Sequence, residues 1–108
     1  MWEDRLKLYD SLINQCPRFE RKGKTMPYTS ANSYMFSLLN KAGEIGIRFS
    51  KDVQKKYFEK FKTTFYKSYG ATMNGYILIP ENLLQNERDT VIKLLNESYD
   101  YVMSLPPK

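Results

Sequence analysis

Residues 26–52 decide the fold, and they read MPYTSANSYMFSLLNKAGEIGIRFSKD. Short polar turns separate three apolar-rich segments in and beside this stretch, at residues 25–30, 34–40 and 45–49. In the third segment the apolar positions 45, 47 and 49 alternate with Gly46 and Arg48, which is typical of a strand with one buried face. Ser50 and Asp52 then favour the start of a helix. The stretch therefore predicts three antiparallel strands that lead into a helix.

Two residues of this stretch indicate where a strand lies in the sheet and how a turn is formed. Pro27 lies inside the predicted first strand, and proline has no N–H to donate to a neighbouring strand. The first strand is therefore expected at an edge of the sheet. Gly43 supplies the positive φ that the four-residue connection 41–44 needs.

Helices are predicted on both sides of the meander. Residues 3–16 carry apolar residues at spacings of three and four, and Pro17 ends that helix. The helix after Ser50 runs to about Phe61, with lysines on its outer side. Asn86 is the expected N-cap of a final helix that closes before Pro106. The inward residues of this last helix are expected to be Val91, Leu95, Tyr99 or Ser98, and Val102.

Between the second and third helices, Asn74-Gly75 is the strongest short-range signal for a hairpin turn. We expect strands at 71–73 and 76–79 on either side of it, an irregular segment at 62–69, and a helical turn from Pro80 through Leu84. The prediction is an α+β two-layer sandwich in one domain, residues 1–108. A five-stranded, mostly antiparallel sheet has helices on one face, in the order α-βββ-α-ββ-α.

Composition excludes several classes of chemistry. The chain has no histidine and one cysteine, so an internal disulfide and the common zinc sites are ruled out. Its glycines form no phosphate-binding or dinucleotide-binding motif, and no pair of carboxylates suggests a shared cleft. Cys16 lies on the apolar side of the first helix, where burial is its expected role. We therefore expect no enzyme activity, no cofactor, no metal and no catalytic residue.

The same features indicate a cellular compartment. No apolar run approaches the roughly 18 residues that a membrane helix needs, and the acidic N-terminus does not have the pattern of a signal peptide. A single cysteine fits a reducing environment. A cytoplasmic protein without membrane contact is expected.

Positive charge suggests a binding surface. The net charge is +5, and cations concentrate in the loop 18–24 and in the lysine-rich helix 51–62. A concave sheet face could hold an anion, an acidic peptide or a nucleic-acid backbone. The alternative is that these charges bind nothing, are solvated and keep the protein soluble. The candidate surface consists of Arg21, Lys22, Lys24, Tyr28 and Arg48.

Four motifs follow one another in a fixed order: Met26-Pro27-Tyr28, Met35-Phe36-Ser37-Leu38-Leu39, Ile47-Arg48-Phe49-Ser50-Lys51-Asp52 and Tyr76-Ile77-Leu78-Ile79-Pro80-Glu81-Asn82-Leu83-Leu84. With this order and spacing, the chain over about residues 22–105 resembles the N-terminal domain of the TfoX/Sxy family of bacterial competence regulators. Pro27-Tyr28-Thr29 stands where that family has two glycines.

The resemblance implies a two-layer α-β sandwich, a regulatory role linked to transcription or competence, and no cofactor or catalytic residue. The regulators carry a second, C-terminal domain, so this chain is expected to be a stand-alone N-terminal domain.

Three functional interpretations follow. The first is a regulatory module that binds another protein through its open sheet face or an edge strand, with a homodimer through the edge that carries Pro27 as one form. The alternative is a nucleic-acid-binding domain that uses the basic loop 18–24 and the lysine-rich helix 51–62. The third is an enzyme that acts on a small molecule, but the sequence offers no set of catalytic residues for it.

Overall fold

A computed structural model describes residues 2–68 and 70–107. The elements are α1 (Trp2–Ile13), β1 (Tyr28–Ala31), β2 (Tyr34–Leu39), β3 (Ile45–Arg48), α2 (Lys51–Lys60), β4 (Phe65–Ser68), β5 (Ala71–Leu78), α3 (Glu81–Asn86) and α4 (Arg88–Met103). The five strands are antiparallel and form one sheet in the order β1-β2-β3-β5-β4. The first strand lies at an edge as expected, but it begins at Tyr28, so the prediction that Pro27 lies inside it is wrong. The predicted α+β fold and element order are confirmed, with one additional short helix, α3.

The second hairpin differs from its prediction. Asn74 and Gly75 are not a turn but lie within β5, where Gly75 has φ +85° and its carbonyl accepts from the Phe49 N–H. The segment predicted to be irregular contains β4, which pairs with β5 up to Ser68 and Ala71. The connection between the two strands therefore follows Ser68 and includes Gly70, which has φ +75°. Pairing along two strands stabilises this arrangement more than the local preference of one dipeptide.

All four helices pack on one face of the sheet around a single core. Buried side chains of β3 and β5 meet the inner sides of the helices there. The first and last helices cover the same face, as the apolar patterns require. The helical contributions include Tyr9 and Leu12 of α1, Tyr57 of α2, Leu83 and Leu84 of α3, and Val91 and Leu95 of α4.

A bulge in β2 turns two consecutive side chains towards the helices. Thr29 pairs with Ser37 while Ser30 pairs with Met35, which leaves Phe36 as an extra residue. The Ser37 hydroxyl bonds with the Tyr9 hydroxyl at 2.6 Å, and Phe36 packs edge-on against Phe19 at 5.0 Å. The bulge therefore lets one strand supply both a polar and an aromatic contact to the helical layer.

The other face of the sheet is partly filled by its own side chains. The Tyr66 ring lies across Gly46, and its hydroxyl donates to the carbonyls of Leu38 and Glu44, each at 3.0 Å. Asn40 Nδ2 also donates to the Lys67 carbonyl at 2.8 Å. These bonds join β4 to the end of β2 across the two strands between them. The sheet is therefore strongly curled, and the centre of its second face is a small aromatic core.

The two predicted helix starts have different outcomes. Ser50 caps α2 as expected, because its hydroxyl accepts from the Val53 N–H at 3.3 Å. Asn86, the expected cap of the last helix, is instead the last residue of α3. Glu87 precedes α4 and makes no side-chain cap. Only Glu87 separates α3 from α4, so Asn86 is itself helical and does not have the extended conformation of an N-cap residue.

Candidate binding groove

The structure brings part of the predicted basic surface together. Arg21 lies against α1, where its guanidinium donates to both carboxylate oxygens of Asp10, at 2.8 and 3.1 Å. Lys22 forms a bridge with Tyr28 through two backbone hydrogen bonds, of 2.8 and 3.0 Å. The charge of Arg21 is therefore already balanced, and the loop covers part of the β1 edge.

The other two predicted residues lie apart from that cluster. Lys24 is exposed beside Trp2 and Lys41. The Arg48 guanidinium lies 5.4 Å from the centre of the Tyr34 ring and 5.9 Å from that of Tyr101, at the end of β3. The five predicted residues thus occupy three neighbourhoods of the surface.

The arginine and lysine side chains of the surface differ in whether a carboxylate pairs with them. Three arginines each pair with a carboxylate: Arg5 with Glu81, Arg18 with Asp100 and Arg21 with Asp10. Lys51 and Lys55 of α2 have no carboxylate at ion-pair distance among the residues that the structure describes. Uncompensated positive charge therefore lies along α2, whereas in the loop 18–24 two of the four cations, Arg18 and Arg21, are paired and, within the described part of the chain, Lys22 and Lys24 are not.

Beside α2 lies a groove of about 710 Å³, bounded by the helix on one side and by β4 and β5 on the other. We call it the aromatic groove. Its position between a helix and a sheet edge leaves it open to solvent along one side. Its lining residues are Lys51, Asp52, Gln54, Lys55, Phe58, Thr63, Thr64, Phe65, Asn74 and Gly75.

Two phenylalanines give the groove its apolar character. Phe65 on β4 is 53% exposed, although large aromatic side chains are normally buried. It contacts Phe58 of α2 edge-on, with ring centres 5.0 Å apart. Phe65 is not among the site residues predicted from the sequence, because it falls in a segment expected to be irregular. The adjacent aromatic residues Phe65 and Tyr66, a residue type enriched in strands, are the sequence signal that could have revealed it.

Side-chain hydrogen bonds anchor the helix that forms one wall. Gln54 is buried and its Nε2 donates to the Tyr76 carbonyl of β5 at 2.8 Å. On the inner side of α2, the Tyr57 hydroxyl donates to the Glu97 carboxylate of α4. Burial, together with that carboxylate, raises the pKa of Tyr57 to about 12, so the hydroxyl keeps its proton at neutral pH. The groove is therefore held open between two anchored elements.

Two further features are absent from the described residues. No group of three or more His, Cys, Asp or Glu residues within 2–68 and 70–107 could hold a metal ion. Over the same residues, no helix combines the length and hydropathy that crossing a bilayer requires. Cys16 is buried, and desolvation raises the pKa of its thiol.

Comparison with known proteins returned nothing: no family model matches the chain, and none of the curated proteins matches it either.

Proposed function

We propose that this chain is a non-enzymatic, regulatory protein-interaction module of TfoX N-terminal-like fold, and that its partner contacts the aromatic groove. The four ordered motifs around residues 26–84 support the family assignment and, through it, a cytoplasmic role in transcriptional or competence regulation. The groove supports the interaction itself.

One observation carries the proposal: a large aromatic side chain, Phe65, is half exposed on an edge strand beside uncompensated lysines. Exposed aromatic surface is unfavourable in water, and aromatic residues are enriched where proteins contact one another. Phe58 extends this surface from the opposite wall of the groove. A partner that covers both rings would remove apolar area from water at the place where the chain leaves it exposed.

The second candidate is a nucleic-acid-binding domain, favoured by the five lysines of the stretch 51–62. The basic loop 18–24 contributes less to that function than its composition suggests, because Arg18 and Arg21 are paired with Asp100 and Asp10. Asp52 and Glu59 also interrupt the charge of α2. A protein partner is therefore the better-supported choice.

Photocrosslinking from the groove tests the proposal. The full chain would carry p-benzoylphenylalanine in place of Phe65 or, as a matched control, in place of Met103, which is 49% exposed on α4. We expect a distinct protein adduct from position 65 and none from position 103 when the cells that produce the chain are irradiated.

Two results would contradict the proposal. One is an adduct pattern that is the same from both positions. The other is the absence of a protein adduct from position 65. A gel shift of nucleic acid that weakens steeply between low and moderate salt, as phosphate contacts do, would then favour the second candidate.

A further inference from the structure

Building on the proposed function, we infer that the aromatic groove binds an acidic peptide segment of the partner. In this arrangement an apolar side chain of the peptide contacts Phe58 and Phe65, and its carboxylates lie beside Lys51 and Lys55. The inference specifies the chemistry of the partner, which the proposed function leaves open.

The apolar half of the site is built from two separate elements. Phe58 projects from α2 and Phe65 from β4, and their edge-on contact leaves the outer part of Phe65 in solvent. Such a pair offers a large apolar contact to one inserted side chain, and aromatic or aliphatic anchors in pockets dominate the binding energy of many interfaces. A single apolar residue of the peptide is thus the expected anchor.

Charge decides which peptide fits. Lys51 and Lys55 are one helical turn apart, so they lie on the same side of α2, and both line the groove. Lys56, Lys60, Lys62 and Lys67 lie close in sequence, against only Asp52 and Glu59. Across 51–67 the six lysines and two carboxylates give a net charge of +4. An acidic segment is attracted to this surface and a basic one is repelled.

Polar groups in the groove suit an extended backbone. Thr64 and Asn74 are exposed, and their side chains make no hydrogen bond within residues 2–68 and 70–107. Their hydroxyl and amide can donate to, or accept from, peptide groups of a bound segment. The Gln54 amide, by contrast, is already engaged with Tyr76 and serves the structure of the wall.

A phosphate backbone fits the same groove less well. Asp52 lies in the lining between the two lysines in sequence, and its carboxylate would repel a closely following phosphate chain. A peptide can place its carboxylates singly beside Lys51 and Lys55 and turn an uncharged residue towards Asp52. Tighter binding of nucleic acid than of the acidic peptide is therefore a competing outcome of the test.

Fluorescence anisotropy on the purified full chain tests the inference. The probe is the labelled peptide EEDFEEFED, in which either phenylalanine can serve as the single anchor. It is compared with EEDSEESED, which lacks both phenylalanines, and with the uncharged QQNFQQFQN. We expect the first peptide to bind at least about tenfold more tightly than either control, because each control lacks one half of the recognition. A labelled single-stranded oligothymidine of twelve nucleotides completes the set.

Matched variants locate the binding. Phe65→Ala and Lys55→Glu should each weaken the acidic aromatic peptide by about tenfold or more. Met103→Ala and Lys7→Glu make the same kinds of change at exposed positions outside the groove and should leave binding unchanged. Lys55→Glu alters only an exposed side chain, so its effect remains interpretable if Phe65→Ala lowers the melting temperature.

Equal binding by wild type and both groove variants would overturn the inference, as would tighter binding of the oligonucleotide than of the acidic peptide. The two proposals fail separately. If the peptide does not bind but position 65 still crosslinks a protein, the acidic-peptide class is wrong and the interaction module stands. If position 65 crosslinks no protein, the proposed function fails regardless of the peptide result.

Discussion

At the scale of single residues, Tyr66 and Gly46 show how contacts distant in sequence shape this sheet. The alternation of β3 predicts that Gly46 faces away from the main core, and it does. The alternation says nothing of the ring that covers it, because Tyr66 follows twenty residues later on a strand that is not adjacent to β3. Long-range partners of this kind are set by the curl of the whole sheet, which local patterns do not encode.

Substituting Gly46 by alanine should therefore destabilise the protein. A Cβ atom at position 46 would lie 2.3 Å from Cδ2 of Tyr66, well inside contact distance. Forcing an extra carbon into a packed site costs about 1–3 kcal/mol, and we expect the free energy of unfolding in urea to fall by that amount.

A double-mutant cycle provides the control. In a Tyr66→Leu background the ring is gone, so Gly46→Ala should cost little or be slightly favourable, since alanine loses less backbone freedom than glycine in a strand. The same loss in both backgrounds would show that Tyr66 is not the group that alanine displaces.

At the scale of elements, the first hairpins were predictable and the last one was not. The segments 34–40 and 45–49 are each bounded by clear turn residues, so β2 and β3 were predicted to within one residue. In the second half, Asn74-Gly75 competes with Gly70, and both glycines have positive φ. Pairing of β5 with Phe65–Ser68 places the turn near Gly70 and not at Asn74-Gly75. The segment that forms β4 has no regular apolar spacing, so this strand was not predicted.

The end of α4 depends on the turn between β1 and β2. Asn32 Nδ2 donates to the carbonyls of Val102 and Leu105, at 2.9 and 2.7 Å. The Val102 carbonyl lies in the last turn of α4 and also accepts from the Leu105 N–H at 3.2 Å, whereas the Leu105 carbonyl lies just beyond the helix. The Asn32 side chain therefore ties both the helix end and the residues after it to the turn. Asn32 also has φ +53°, a conformation that asparagine tolerates better than most residues.

Two substitutions at position 32 separate these roles. Asn32→Gly keeps the backbone conformation and loses the two bonds, so we expect a loss of stability of about 1 kcal/mol. Asn32→Ala adds the cost of positive φ and should lose about 1–2 kcal/mol more. Hydrogen exchange of the amides at the end of α4 should accelerate in both variants.

Tyr34→Phe is the comparison for this prediction. Its hydroxyl donates to the Pro106 carbonyl in the same region, but that bond is exposed to water. Removing it should therefore change stability very little. An unchanged melting temperature in Asn32→Gly would show that the turn does not support the helix end.

At the scale of the whole molecule, the layered architecture follows from apolar periodicity, whereas the candidate site does not. Composition identified α2 as basic, yet the loop 18–24 looked equally basic in sequence. The difference between them lies in tertiary ion pairs, Arg18 with Asp100 and Arg21 with Asp10. The exposure of Phe65 is likewise a property of its place at the sheet edge. Sequence could propose a charged surface, but only the fold shows which charges remain unpaired.

The two edges of the sheet determine whether the protein associates with itself. Lys22 pairs with Tyr28 along the outside of β1, and the carbonyl of Lys67 in β4 accepts from Asn40. The expected homodimer through the edge with Pro27 would have to use the unpaired remainder of β1. Because the Lys22 bridge covers part of the β1 edge, strand-to-strand association there is limited, and we expect a 12.8 kDa monomer by light scattering at micromolar concentration.

Uncovering the β1 edge should change that state. Lys22→Pro removes the N–H that donates to the Tyr28 carbonyl, and it leaves edge groups free to pair with a second copy. We expect the mass of this variant to rise with concentration towards that of a dimer, while Lys22→Ala, which keeps the backbone bonds, stays monomeric. A wild-type dimer would mean that the Lys22 bridge does not protect the edge. A Lys22→Pro variant that remains monomeric at every soluble concentration would mean that something other than this bridge keeps the chains apart.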